Sequence, residues 1–119
     1  MKIAFATSDN ETIDQHFGWA TKFAIWEIAS DHASFSGLAE IEATTDKEDD
    51  KIEARLKVLS DCTIVYITQI GGPAAARLVA NRIHPIKSKD DEKIQDAIGK
   101  LQETLNNNPP PWLRRIMNK

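Results

Sequence analysis

One cysteine, Cys62, is all that a chain of 119 residues carries. A lone thiol closes no internal disulfide and builds neither a zinc knuckle nor a four-thiolate cluster site. Basic charge is not in excess: 15 Lys and Arg stand against 18 Asp and Glu, a net charge of −3, which excludes a globally basic nucleic-acid binder. No apolar run approaches the ~18 residues of a membrane helix. The opening Met1–Thr7 turns polar too soon for a signal peptide, so the cytoplasm is the expected compartment. What remains, at 41% hydrophobic and 28% charged residues, is neither disordered nor fibrous. The length suits one domain, able to bury roughly two-thirds of its unfolded surface.

The pattern along the chain alternates strand and helix signals. Residues 2–7 set Ile3 and Phe5 against Ala4 and Ala6, a buried strand with one small-residue face. Residues 8–21 have no period and read as a long loop, a length often tied to function. Residues 22–29 and 33–43 read as a hairpin turning at Ser30-Asp31-His32. Thr45 and Glu48 fit a capping box for a helix over 47–60, with Ile52, Leu56 and Leu59 on one side, and the acidic run Asp46–Asp50 reads as that helix's solvated start. Residues 62–70, apolar and β-branched, suit a central strand covered on both faces. Gly71-Gly72-Pro73 ends it and starts a second helix. Residues 83–87 give a short strand that Pro85 places at an edge. Asp90 is the expected cap of a third helix striped by Ile94, Ile98, Leu101 and Leu105.

A hairpin followed by right-handed crossovers predicts an α/β, three-layer, ribonuclease H-like fold. Its five-stranded mixed sheet runs in the order 3-2-1-4-5, with strand 2 antiparallel and helices on both faces. The loop before the second strand, Gln15 to Trp19, then lies at the carboxyl edge of the sheet beside Ser8-Asp9 and Gly71-Gly72, where open α/β sheets bind ligands. There His16 offers a metal ligand or proton carrier, flanked by Phe17 and Gly18. Gly71 and Gly72 admit a ligand to the backbone and to free helix N–H groups, and Arg77 adds charge. The plainer alternative is that His16 caps a loop and Gly-Gly-Pro only starts a helix. Cys62 and His84 begin parallel strands at the opposite edge and read as structural; His32, in a turn, reads as solvated.

A metal-dependent nuclease on such a sheet needs carboxylates on its central strands. Residues 2–7 and 62–70 contain none, and no phosphate-binding glycine motif or nucleophile–base pair is visible, so the chain reads as a binder and not an enzyme. Residues 1–108 form the expected domain and 109–119 a Pro-rich basic tail. From Asn106 onward Arg114, Arg115 and Lys119 give +3 against −6 for the remainder. Trp112, Leu113, Ile116 and Met117 repeat at helical spacing, which suits either a docking peptide for a partner or a segment folded onto the acidic body.

Three segments carry a resemblance. Asp14-Gln15-His16-Phe17-Gly18, Gly71-Gly72-Pro73-Ala74-Ala75-Ala76-Arg77-Leu78 with Arg82-Ile83-His84-Pro85-Ile86-Lys87, and Asn108-Pro109-Pro110-Pro111-Trp112-Leu113-Arg114-Arg115 are together similar to the dinitrogenase iron–molybdenum cofactor-binding family of nitrogen fixation. The likeness runs from residue 1 to about 116. It implies a ribonuclease H-like scaffold without nuclease activity. It also implies binding of the iron–sulfur precursor of the nitrogenase iron–molybdenum cofactor, received from NifB and passed to the NifEN scaffold. His16 matches the family's cofactor-associated histidine. No thiolate set is present, so a cluster would be held in exchangeable form. The alternative from another class is a non-catalytic interaction or regulatory module that keeps the scaffold without a cluster.

Overall fold

The computed structural model describes residues 1–41 and 47–117. Thr45 of the expected capping box and Asp46 of the acidic run lie outside them. The elements in chain order are β1 (Lys2–Ala6), β2 (Thr12–Ile13), β3 (Lys22–Ile28), β4 (Ala33–Glu40), α1 (Glu48–Val58), β5 (Ile64–Ile67), α2 (Gly72–Ala80), β6 (His84–Lys87), β7 (Glu92–Lys93), α3 (Ile94–Asn106) and α4 (Pro111–Met117). Five strands form a mixed sheet in the order β4-β3-β1-β5-β6, with β3 antiparallel to β1 and to β4, and β5 parallel to β1 and β6.

The two-residue period of β1 divides the core. Ala4 and Ala6 join Phe17, Phe23, Val65 and Ile67 in a layer closed by Ile52, Leu56, Ala74 and Leu78 of α1 and α2. Ile3 and Phe5 face the other way, with Ile64 and Tyr66, onto Ile94, Ile98 and Leu101 of α3. The small Ala face lets α1 and α2 approach one side, while the large residues fill the other. Pro85 sits in β6, an outer strand, where its missing N–H breaks no interior ladder. Gly37 takes φ +145° where the β3–β4 register slips between Ile25 and Trp26, a bulge that suits glycine.

Two expectations are corrected, and one open alternative is decided. The loop after β1 contains β2, which pairs with β7 in a two-stranded ribbon outside the main sheet. Asp90 does not cap α3: Lys93 holds that position without a side-chain bond, and the Ile94 N–H donates to the Glu11 carbonyl at 2.9 Å. Of the two readings left open for the tail, the structure shows the segment folded back on the domain. It forms α4, Leu113 is fully buried in the α3-side core, and Trp112 stacks on His84 with ring centroids 3.8 Å apart. Among the described residues no helix is long and apolar enough to cross a membrane.

Candidate functional site

The loop between β2 and β3 is stitched to the carboxyl end of β5. His16 pairs with Gln69 as an isolated parallel bridge. The Phe17 N–H donates to the Gln69 carbonyl at 2.8 Å, and the Thr68 N–H donates to the Gln15 carbonyl at 3.1 Å. The Phe17 ring anchors this segment in the core against Phe23, centroids 6.2 Å apart. The large apolar side chain of Phe17, between His16 and Gly18, thus pins the backbone and leaves His16 at the rim.

Past Phe17 the chain turns tightly. The Trp19 and Ala20 N–H groups both donate to the His16 carbonyl, at 3.1 and 3.0 Å. The Gly18 N–H donates to His16 Nδ1 at 2.9 Å. A Cβ on Gly18 would stand 3.4 Å from Cε1 and Nδ1 of the imidazole, in close contact with the ring. The indole of Trp19, 74% exposed, stacks on the imidazole at 4.9 Å.

Gly71 and Gly72 follow two residues after Gln69. Both are exposed, and a Cβ on Gly72 would meet nothing within 4 Å. Gly71 occupies the N-cap of α2 without a side-chain bond, Pro73 follows, and the first turn carries no acid. The leading N–H groups of a helix have no intrahelical partner and favour negative charge. By contrast, the first turn of α1 is filled by Glu48, Asp49 and Asp50.

Two residues expected at this edge are engaged elsewhere. Ser8 spends both donors on Asp14: its N–H reaches Oδ1 at 2.9 Å and its hydroxyl bonds Oδ2. Arg77 turns to α1, donating to the Glu53 carboxylate and the Asp49 carbonyl. Both side chains are thus directed to other partners; Phe17 contributes as an anchor, and Gly18 by its N–H. Asp9 is likewise occupied within its loop. The N–H groups of Thr12 and Glu11 and the Thr12 hydroxyl bond its carboxylate and hold its pKa well below the usual range.

Cys62 and His84 stand at the opposite edge. Cys62 is 5% exposed, and burial raises its thiol pKa to about 11, which keeps it protonated near neutrality. His84 lies under Trp112, and partial burial lowers its pKa. Among the described residues no three His, Cys, Asp or Glu side chains assemble as a metal-binding group.

Arg55 did not stand out in the sequence. It is nonetheless 6% exposed. One guanidinium nitrogen donates to the Ala20 carbonyl at 2.8 Å, another to the Lys51 carbonyl at 2.9 Å, and Nε has no partner. It supports the far end of the His16 turn, since Ala20 is also the residue whose N–H returns to His16. Only its place in the helical period, between Ile52 and Leu56 on the buried side, signals this.

Comparison with known proteins agrees with the architecture. Residues 1–104 match the family model described as dinitrogenase iron-molybdenum cofactor. The chain is 41% identical over 121 residues to the protein NifX of Herbaspirillum seropedicae, covering 100% of this chain and 83% of that one. It is 37% identical over 123 residues to NifX of Rhodobacter capsulatus, covering 98% and 77%. Among solved structures, that of PH0822 superposes with a TM-score of 0.69 at 18% identity, covering 87% of this chain and 91% of the other, a likeness of fold. The chain therefore belongs to the dinitrogenase iron–molybdenum cofactor family, among its NifX proteins.

Proposed function

We propose that this protein is a non-catalytic carrier of the iron–sulfur precursor of the nitrogenase iron–molybdenum cofactor. In this reading it receives the cluster from NifB and yields it to the NifEN scaffold, in the cytoplasm. Membership of the family supports this reading. The His16–Gln69 bridge carries the reading, because it sets an imidazole, an exposed indole and the uncapped, acid-free start of α2 along one edge of the sheet.

Such a cargo is large, anionic and coated with sulfide. An imidazole and backbone N–H groups suit that surface. Hydrogen bonds to charged groups are worth about 1.5–3 kcal/mol each, enough for retention and small enough for release. A full thiolate set would hold the cluster against transfer; the one thiol here is buried at the far edge.

The test is anaerobic equilibrium binding of the precursor to wild type, His16→Ala and Cys62→Ala. His16→Ala is expected to bind at least ~10-fold more weakly with the fold retained, because one charge-assisted contact is lost from a rim position. Cys62→Ala is expected to bind as wild type. Equal binding by all three removes His16 from the site. Absence of binding by a folded wild type favours an interaction module without a cluster.

A further inference from the structure

We infer that His16 meets its ligand as a hydrogen-bond donor, through Nε2–H to a sulfide-surfaced anion, and not as a metal ligand. The inference rests on the carrier reading for the nature of the ligand, while the state of the ring rests on geometry alone.

The Gly18 N–H points at Nδ1 from 2.9 Å. A backbone N–H can be accepted only by a lone pair, so Nδ1 is unprotonated, and the neutral ring carries its hydrogen on Nε2. The other tautomer, with a lone pair free at Nε2, would set two N–H groups against each other at Nδ1. Flipping the ring would put a carbon before the Gly18 N–H. Metal-binding histidines show the opposite polarity: one nitrogen gives its lone pair to the metal while the other donates its N–H to a carbonyl, carboxylate or water. Here the second nitrogen accepts.

The arrangement is fixed from several sides. The His16 carbonyl is held by the Trp19 and Ala20 N–H groups, Phe17 is tied to Gln69, and the imidazole lies against the Trp19 indole. A metal bond at Nε2 would require the Gly18 N–H contact at Nδ1 to be given up or the ring to lose its last proton. Donation from Nε2–H requires neither. It favours a ligand by surface charge and sulfide coating, and leaves every metal coordination position of the cargo untouched for the next acceptor.

Two measurements test this. In the ligand-free wild-type chain, labelled with ¹⁵N in its imidazoles, long-range ¹H–¹⁵N correlation spectra are expected to show His16 protonated at Nε2 and bare at Nδ1. A proton on Nδ1 overturns the inference, with no variant involved. The second probe is tetrathiomolybdate, whose metal is closed by four sulfides and offers nothing to a nitrogen lone pair. It is expected to bind wild type, and Cys62→Ala equally. It should bind His16→Ala roughly 10- to 100-fold more weakly, the loss of one hydrogen bond to a charged group. Failure to bind, or equal binding by His16→Ala, overturns the donor role. A parallel titration with the iron–sulfur precursor separates the two readings. Binding of the precursor but not of tetrathiomolybdate defeats the donor role and leaves the carrier standing, whereas binding of neither defeats both.

Discussion

Arg55 leaves α1 and runs beneath the turn that displays His16, where its guanidinium takes the Ala20 carbonyl. Burial lowers its pKa, but an arginine stays charged, so the cation is retained at the cost of desolvation. Removing it leaves a carbonyl short of a donor under the site. Arg55→Ala is expected to cost about 1–3 kcal/mol in urea unfolding for that unmet group, with added loss from the vacated space. Unchanged stability would show that the contact is idle. Cys62 and Tyr66 act on the pH axis. Burial raises the thiol to about 11 and the phenol to about 12. Both groups hold their protons more tightly folded than unfolded. Their contribution is complete below the unfolded values and is lost as pH climbs toward the folded ones. Stability is expected to be level across neutrality and to fall from about pH 9 upward, less steeply in Tyr66→Phe; an identical alkaline slope in that variant contradicts the assignment. By the same burial, Cys62 is expected to resist thiol reagents at pH 8 until the protein is unfolded.

At the scale of elements, α4 changes the account most. Its sequence, with tri-proline ahead and arginines within, allowed either a peptide for a partner or a segment folded home. The structure places Leu113 at 0% exposure in the core and lays Trp112 on His84. Leu113→Ala is expected to cost about 2–5 kcal/mol, and deletion of residues 109–119 to lower the melting temperature; a truncated chain as stable as the full one would return the tail to a docking role. The sheet was legible because its strands are written in plain periods: Ile3 and Phe5 against Ala4 and Ala6 fix two faces, and the unbroken apolar run of β5 places it centrally. The β2–β7 ribbon was not legible, because two residues on each side make no period and Glu92 and Lys93 look like part of a helix start. The same separation holds at the site. Placing His16 near Gly71 needed only topology. Learning that Ser8 and Arg77 are spent on Asp14 and Glu53 needed side-chain positions, since no spacing records which of two neighbouring acids a donor will find. Neither β1 nor β5 carries a carboxylate, so cleavage of RNA or DNA with Mg²⁺ or Mn²⁺ is not expected; metal-dependent hydrolysis that follows the purified protein would contradict a purely binding role.

For the whole molecule, one sheet serves two ends. The amino edge is closed by the buried Cys62 and by the stacked pair His84 and Trp112, while the carboxyl edge presents His16, Trp19 and the bare start of α2. Ligand binding to the folded form alone would stabilise it in proportion to ligand concentration over Kd, a tenfold excess adding about 1.4 kcal/mol. The central claim is that this open edge carries a cluster it can surrender. Its most direct test is an anaerobic titration of the full chain with the iron–sulfur precursor, followed by visible absorption and then by addition of the NifEN acceptor. The expected result is saturation at one cluster per chain, co-elution of colour with protein, and passage of that colour to the acceptor. A folded chain that remains colourless, or one that binds the cluster and keeps it in the presence of the acceptor, contradicts the account.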